Sequence, residues 1–445
     1  MKGIVISGTG SGVGKTSVTT GLMRALSESM KVQGYKVGPD FIDPMYHTLA
    51  TGRPSRNLDT FMMSKGTVER LVGHTARDAD ICIVEGVRGL YEGLTGTGEE
   101  GSTAEMAKLL GFPVVLVVNA RSLTRSAAAM VNGFRAFDPE VNVAGVILNN
   151  VTGPQHRRKL REAFAGSSDV PVLGMIERDA CGGLKERRLG LCAVGSEDWD
   201  VVDGLGGLAS QMDIDSVLDV CERFEREDPE PEFPYARRRS GLRAAVPLDD
   251  AYCFYYHDNL EAMRASGMDV RTFSPLAGDM LPDADFYYLG GGYPELHMDA
   301  ISENRDFLEG LRNASAEGRA VMGECGGLMT MCSSVSDAAG RVFRGAGVFD
   351  AECMMTDVRH GPSYVLARGT EANPLFRGMA VRAHEFHYSD VRPRGTPVFG
   401  FDVLRGQGID GRRDGLVLKN SVGSYMHQHA LSSEDWLAGV VGAVP

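Results

Sequence analysis

The sequence predicts an α/β protein built as two successive units, and three observations carry that prediction. In the first half, short runs rich in Val and Ile alternate with stretches of helical length and pattern, the mark of a doubly wound parallel sheet. The first such run leads into a glycine-rich phosphate loop, Gly8 to Ser17. A charged, proline-bearing break around 225–240 then separates this half from a second alternation, which carries a Gly-x-Cys-x-Gly turn. A chain of 445 residues is long enough for two to three domains. The expected organisation is a P-loop domain over residues 1–225, a linker over 226–240 and a second α/β domain over 241–445.

Taken in order, Ile4 to Ser7, Ile81 to Val84, Val114 to Val118 and Val143 to Leu148 are continuous apolar runs. Such runs suit strands covered on both faces. Ser17 to Ser29 and Ser122 to Phe137 read as helices between them. In the break EREDPEPEFPYARRRS, Pro229, Pro231 and Pro234 forbid regular helix. Beyond it, Phe254 to Tyr256 and Phe286 to Leu289 read as strands and Asn259 to Ser266 as a helix. There is no internal repeat and no low-complexity tract.

Bulk properties exclude several classes. Hydrophobic residues at 43% and charged residues at 24% are those of a soluble globular protein. A net charge of −13 argues against nucleic acid as a partner, because phosphate neutralisation needs a basic surface. The longest apolar run, Phe112 to Val118, is too short to span a bilayer, and no signal peptide is visible, so no membrane partner and a cytoplasmic location are expected. None of the eight cysteines forms a C-x-x-C pair, so neither zinc nor a disulfide framework is suggested.

The loop GTGSGVGKTS follows a strand and opens a helix, the context a P-loop requires. Gly10, Gly12 and Gly14 let backbone N–H groups approach phosphate, Lys15 reaches the β- and γ-phosphates of ATP, and Thr16, beside Ser17, binds Mg²⁺. The strict pattern wants Gly where Thr9 stands. Gly10 occupies the place of the second lysine of partitioning ATPases, and the loop resembles that of dethiobiotin synthetase-like amide-forming enzymes. In KVGPDFID and VEG, Asp40 and Glu85 fall at the C-terminal ends of strands, where parallel sheets hold their ligands. They are candidate Mg²⁺ ligands, and Asp43 a candidate for orienting the phosphoryl acceptor. For Asp43 the competing reading is a turn around Pro39 and Pro44.

In RAVMGECGG a short strand runs into Gly323-Glu324-Cys325-Gly326-Gly327 and then a helix. This is a nucleophile elbow with a thiol in the nucleophile place, where the helix N-terminus favours thiolate. In GSYMHQH, His427 fits the base of a triad glutaminase, while His429 stands where the acid would be. Backbone N–H groups of Gly291 and Gly292, with that of Gly326, are candidates for an oxyanion hole. AHEFHY is one residue short of the helical zinc pattern and reads as a strand; His384 and His387 are left between a site role and packing.

Together GTGSGVGKTS, KVGPDFIDPMYH, RNLDTFMM, EGVRGLYEG, FYYHDNLEAM, LGGGYPE, GECGGLM, HEFHYSD and SYMHQH resemble the cobyrinic acid a,c-diamide synthase family over nearly the whole chain. The resemblance implies a C-terminal class I glutamine amidotransferase-like domain that hydrolyses glutamine at Cys325 with His427. It implies a synthetase site, served by Lys15, Thr16, Asp40, Asp43 and Glu85, where ATP activates a tetrapyrrole carboxylate as an acyl phosphate and ammonia displaces phosphate. The form EGVRGLYEG resembles the methanogen branch, which implies nickel-sirohydrochlorin as the substrate, with cobyrinate as the other ring. A polycarboxylate calls for nearby arginines, and Arg88, Arg53 and Arg56 are the candidates. A cobyric acid synthase-type amidase and a non-catalytic nucleotide switch remain as alternatives, and a homodimer is left open.

Overall fold

The computed structural model describes residues 1–178, 180, 198–223, 232–433 and 436–443. The chain divides into two compact units, and after Pro234 it passes from the first to the second at Tyr235. Of the expected linker, residues 226–231 lie outside the described residues. Tyr235 to Ser240 join the second unit: Arg238 N donates to Ala265 O and Ser240 N to Ser266 O.

The first unit runs β1 (Gly3–Gly8), α1 (Lys15–Leu26), β2 (Val32–Val37), α2 (Ile42–Thr51), β3 (Arg56–Leu58), α3 (Lys65–Thr75), β4 (Ile81–Glu85), α4 (Thr103–Leu110), β5 (Val114–Asn119), α5 (Arg125–Phe137), β6 (Val143–Val151), α6 (Gly153–Ser167), β7 (Val172–Glu177), α7 (Trp199–Gly206) and α8 (Ile214–Arg223). Its seven strands form one sheet in the order β3-β2-β4-β1-β5-β6-β7, and every pair is parallel. The central strands are buried along their whole length, which is why they read as unbroken apolar runs. One layer of core joins Ile4, Ile6, Ile83 and Val117 to Val18 and Leu22 of α1 and to Val217 and Val220 of α8. The order reverses at β1, so the crevice beyond the C-terminal ends of β1, β2 and β4 is where such a sheet takes its ligand.

The second unit runs β8 (Arg243–Pro247), α9 (His257–Ala265), β9 (Asp269–Phe273), β10 (Phe286–Leu289), α10 (Met298–Glu303), α11 (Arg305–Ala316), β11 (Ala320–Glu324), α12 (Gly326–Met331), β12 (Cys332–Ser336), β13 (Val342–Arg344), β14 (Phe349–Gly369), β15 (Ala380–Pro393), β16 (Phe399–Arg405), β17 (Arg413–Leu418), β18 (Ser421–Ser424), β19 (His427–Gln428) and α13 (Trp436–Ala443). Strands β9-β8-β10-β11-β18 form its parallel centre. From β18 the sheet continues through antiparallel β17, β16 and β14, and β15 pairs with β14 and with β19. Phe254 to Tyr256, expected as a strand, is instead a loop leading into α9. Only Phe254 makes a strand-like bridge, to Gly291, while the Tyr255 hydroxyl donates to Pro247 O at 2.6 Å and accepts from Gly290 N at 2.8 Å. Among the described residues, no helix is long and apolar enough to cross a membrane.

Candidate active sites

After β1 the chain turns through Gly12 and Gly14, both at positive φ, and Gly14 caps α1. A Cβ on Gly14 would fall 2.2 Å from Asn149 Nδ2, which donates to Val13 O at 2.9 Å, so the end of β6 braces the loop from behind. Lys15 lies across the loop: its Nζ donates to Gly10 O at 3.0 Å and to the carbonyl of Arg88. Burial, and then the charge of Lys36, push the Lys15 ammonium below its ordinary pKa. Thr16 and Ser17 sit in the first turn of α1, where backbone donors and the helix dipole converge.

Glu85, at the end of β4, is fully buried and is the hub of the site. Its Oε1 accepts from Thr16 Oγ1 at 2.7 Å and from Lys36 Nζ at 2.9 Å, and its Oε2 accepts from His47 Nε2 at 2.7 Å. Lys36 also reaches Asp43 Oδ2 at 2.6 Å. Burial opposes ionisation of Glu85, but Lys36 and His47 outweigh it and hold the carboxyl well below the usual range. Burial likewise opposes the Lys36 charge, but Asp43 and Glu85 together keep the ammonium protonated. Asp40 is turned inward on its own loop: Oδ1 accepts from Ile42 N at 2.8 Å, and its carbonyl accepts from Asn57 Nδ2 at 2.7 Å.

Lys36 and His47 were not singled out from the sequence, although both stand in KVGPDFIDPMYH. The available signal was Lys36 itself, a charged residue inside the otherwise uncharged strand β2, which must be paired if that strand is buried. Of the three arginines, Arg88 is exposed at positive φ beside the phosphate lysine, its guanidinium 3.4 Å from Gly93 O. Arg53 and Arg56 do not join the site. Arg53 precedes β3, at the opposite end of the sheet, and pairs with Asp78 at 2.7 Å. Arg56 lies opposite Tyr35 in the β2–β3 register, on the face turned away from Lys36 and Glu85.

In the second unit, β11 ends at Glu324 and α12 starts at Gly326, leaving Cys325 at the turn with φ 46° and ψ −98°. A non-glycine residue in that region signals a strained elbow. An added Cβ on Gly326 would lie 3.2 Å from Gly292 N, so the glycine run after β10 closes on the residue that follows Cys325. An added Cβ on Gly291 would lie 2.4 Å from His427 Cε1, so the glycine run also abuts the imidazole. Cys325 Sγ lies 3.9 Å from Phe386 O on β15. Burial, then Glu295 and Cys353, push the thiol pKa up, while burial lowers His427 to about 3. Thiol and imidazole are therefore each uncharged at rest.

The neighbouring histidines divide. The His384 ring stacks on His427 with centroids 4.9 Å apart. His387 stacks on Tyr425 at 3.5 Å and its Nδ1 donates to Ser389 O at 2.8 Å. His429 is buried against Tyr256, with Nε2 3.4 Å from Asp258 Oδ2. Beneath the turn, Glu324 accepts from Gln428 N at 3.0 Å and from the Tyr288 hydroxyl at 2.9 Å, tying the elbow to the histidine strand.

Comparison with known proteins matches each unit separately. Residues 4–184 match the CobQ/CobB/MinD/ParA nucleotide binding domain, and residues 243–435 match the CobB/CobQ-like glutamine amidotransferase domain. Full-length relatives are found among methanogens. The cobyrinate a,c-diamide synthase of Methanosphaera stadtmanae is 41% identical over 98% of this chain and 97% of its own length. Those of Methanothermobacter thermautotrophicus and Methanobrevibacter smithii are 40% identical over 98% of each chain and 39% identical over 96% and 95%. Likeness of this extent covers both units, and it makes the chain a member of the cobyrinate a,c-diamide synthase family, the glutamine-dependent ligases that form amides.

Proposed function

We propose that the chain amidates the a and c side-chain carboxylates of a tetrapyrrole, with nickel-sirohydrochlorin as its preferred ring, using ATP and glutamine. At the second unit, Cys325 Sγ attacks the glutamine carboxamide carbon while His427 takes the thiol proton. The C–N bond breaks, ammonia leaves, and water releases glutamate from the thioester. Gly291, Gly292 and Gly326 offer backbone N–H groups to the oxyanion. At the first unit, the γ-phosphoryl group passes to a ring carboxylate, and ammonia then attacks the acyl phosphate and expels phosphate.

Magnesium fits the first site by the chemistry of its donors. Thr16 Oγ1 and Glu85 Oε1 stand 2.7 Å apart beside the phosphate lysine, and Glu85 is ionised. A hard cation that binds through one carboxylate, one hydroxyl and substrate phosphates needs no larger protein cage. Thr16 and Glu85 would hold it, with Asp40 nearby, and it would neutralise charge on the transferring phosphoryl group. Asp43 would orient the acceptor carboxylate, a role its ion pair with Lys36 in the same cluster supports.

Arg88 is the observation that carries the substrate reading. Its carbonyl accepts from Lys15 while its guanidinium is exposed, which supports a cation available to a carboxylate beside the phosphate lysine. The deciding experiment offers purified enzyme equal nickel-sirohydrochlorin and cobyrinate with ATP and glutamine, and follows mass gain. Diamide from nickel-sirohydrochlorin with the lower KM is expected. Preferential use of cobyrinate would assign the enzyme to the cobalt ring instead.

A further inference from the structure

A buried peptide group must find a partner, and a very short strand gains few from its neighbours in a sheet. Strand β19 is only His427 and Gln428, and it pairs with β15. The N–H and the C=O of Gln428 are both held by side chains. Glu324 Oε1 accepts from Gln428 N at 3.0 Å, and Asn259 Nδ2 donates to Gln428 O at 2.8 Å. The Gln428 N–H belongs to the peptide that follows the His427 Cα, so fixing it fixes the backbone that carries the imidazole.

The two side chains come from separate elements. Glu324 ends β11 and immediately precedes Cys325. Asn259 lies in the first turn of α9, within the FYYHDNLEAM segment. Tyr288 of β10 links them: its hydroxyl donates to Glu324 Oε2 at 2.9 Å and accepts from Asn259 Nδ2 at 3.0 Å. Asn259 Oδ1 accepts from Ala430 N at 2.7 Å, so one carboxamide serves three partners with two donors and an acceptor. Asn259, Tyr288, Glu324 and Gln428 are all buried. Burying a carboxyl and a carboxamide is costly, and what a hydrogen-bonded network returns is one defined geometry.

We propose that Glu324 and Asn259 are positioning residues for glutamine hydrolysis: through Gln428 they lock the strand that carries the His427 base in register with the elbow that carries the Cys325 nucleophile. Glu324 acts from the elbow, since its backbone leads into Cys325 while its carboxyl holds the peptide after His427. Asn259 acts from α9, on Gln428 O and Ala430 N. What Glu324 must supply is an acceptor for Gln428 N rather than a charge. Burial raises its carboxyl to about 8, so at neutral pH it is mostly the uncharged acid. The inference rests on the reading of Cys325 and His427 as nucleophile and base.

The test compares three variants of the full chain: Glu324→Gln, which keeps the acceptor, Glu324→Leu, which removes it, and Asn259→Asp, which loses the donors to Gln428 and Tyr288. Each is measured for glutamate release, ammonia-dependent amide and the melting transition. Glu324→Leu is expected to lose kcat for glutamine by about 10²-fold with KM for glutamine within about threefold, as for a displaced catalytic group. Glu324→Gln is expected to stay within about threefold of wild-type kcat, Asn259→Asp to lose about tenfold at unchanged KM, and all three to keep the ammonia-dependent rate. A Glu324→Leu enzyme that melts earlier but turns over glutamine with wild-type kcat overturns the inference, because the network is then structural only. So does a Glu324→Gln enzyme as slow as Glu324→Leu, because the charge and not the acceptor then matters. Should Glu324→Leu fail to fold, Asn259→Asp decides: the loss in kcat sustains the inference, and wild-type kcat overturns it. The underlying reading has its own check: glutamine-dependent synthesis by Cys325→Ala would remove nucleophile and base whatever Glu324 does.

Discussion

Cys325 carries its thiol on a backbone at φ 46°, ψ −98°, a conformation that costs of order 1–3 kcal/mol and persists only where the surroundings enforce it. Cys325→Ala should cut glutamine-dependent synthesis by more than about 10³-fold and leave the ammonia-dependent rate intact, since only the nitrogen supply is lost. Failure of ammonium chloride to rescue the variant would refute two separable sites. Lys15→Ala should lose roughly 10²-fold or more with either nitrogen source, because it removes a preorganised cation from the phosphoryl group; unchanged ammonia-dependent kinetics would exclude Lys15. Arg88→Lys should raise KM for the tetrapyrrole several-fold while KM for ATP and glutamine stay put, since lysine cannot form the bidentate carboxylate contact. Lys15, Thr16, Cys325 and His427 were legible because each stands in a local motif. Lys36 and His47 converge on Glu85 from 49 and 38 residues away, a meeting that no spacing encodes. Arg53 and Arg56 were misleading for the converse reason: nearness in sequence to KVGPDFID placed them across or behind the sheet.

At the scale of elements, the glycine run after β10 is shaped by what presses on it. Gly291 has no room for a side chain against His427, and Gly292, at φ 151°, would place a Cβ 2.2 Å from Ala251 O. Gly291→Ala should therefore push His427 off its position and lower glutamine-dependent kcat by about 10²-fold while ammonia-dependent synthesis continues. Equal glutamate release by mutant and wild type would show that the loop yields and the base does not move. The elbow from β11 into α12 was legible as a strand, a small-residue turn and a helix. The loop at Phe254 to Tyr256 was not. Its aromatic run has strand composition, but the Tyr255 and Tyr256 hydroxyls each find partners on other segments, and tertiary hydrogen bonds override a three-residue propensity.

At the scale of the whole molecule, the second unit buries carboxyls that burial keeps protonated: Glu324 is raised to about 8, and Asp414 and Glu295 to about 7. A carboxyl raised on folding stabilises fully below its unfolded value and loses that contribution as pH rises through its folded value. His427, His387 and His384, all lowered on folding, are half protonated in the unfolded chain at about pH 6.5 and oppose that trend until well above it. Between about pH 7.5 and 8 the carboxyls dominate the trend, at up to about 1.4 kcal/mol per pH unit for each. The melting transition of the second unit should accordingly fall in temperature over that window. Glu324→Gln, which mimics the protonated acid, should flatten the fall; an unaltered slope by calorimetry would mean Glu324 is ionised throughout.

The sequence by itself determined the α/β class, the two-unit order, the phosphate loop and the thiol elbow, because each is written in contiguous residues whose backbone requirements are local. Family membership was legible in the same way, through several such segments in one chain. Only the tertiary structure decided which charges meet at Glu85, which arginine stays by the phosphate lysine, and what lies on the His427 ring. Those outcomes depend on strand register and sheet order: β2 beside β4 brings Lys36 to Glu85, and β15 beside β19 brings His384 to His427. Register is set by burial of whole faces over the entire sheet, so the partner of a given side chain is a property of the packed molecule and not of its neighbours in the chain.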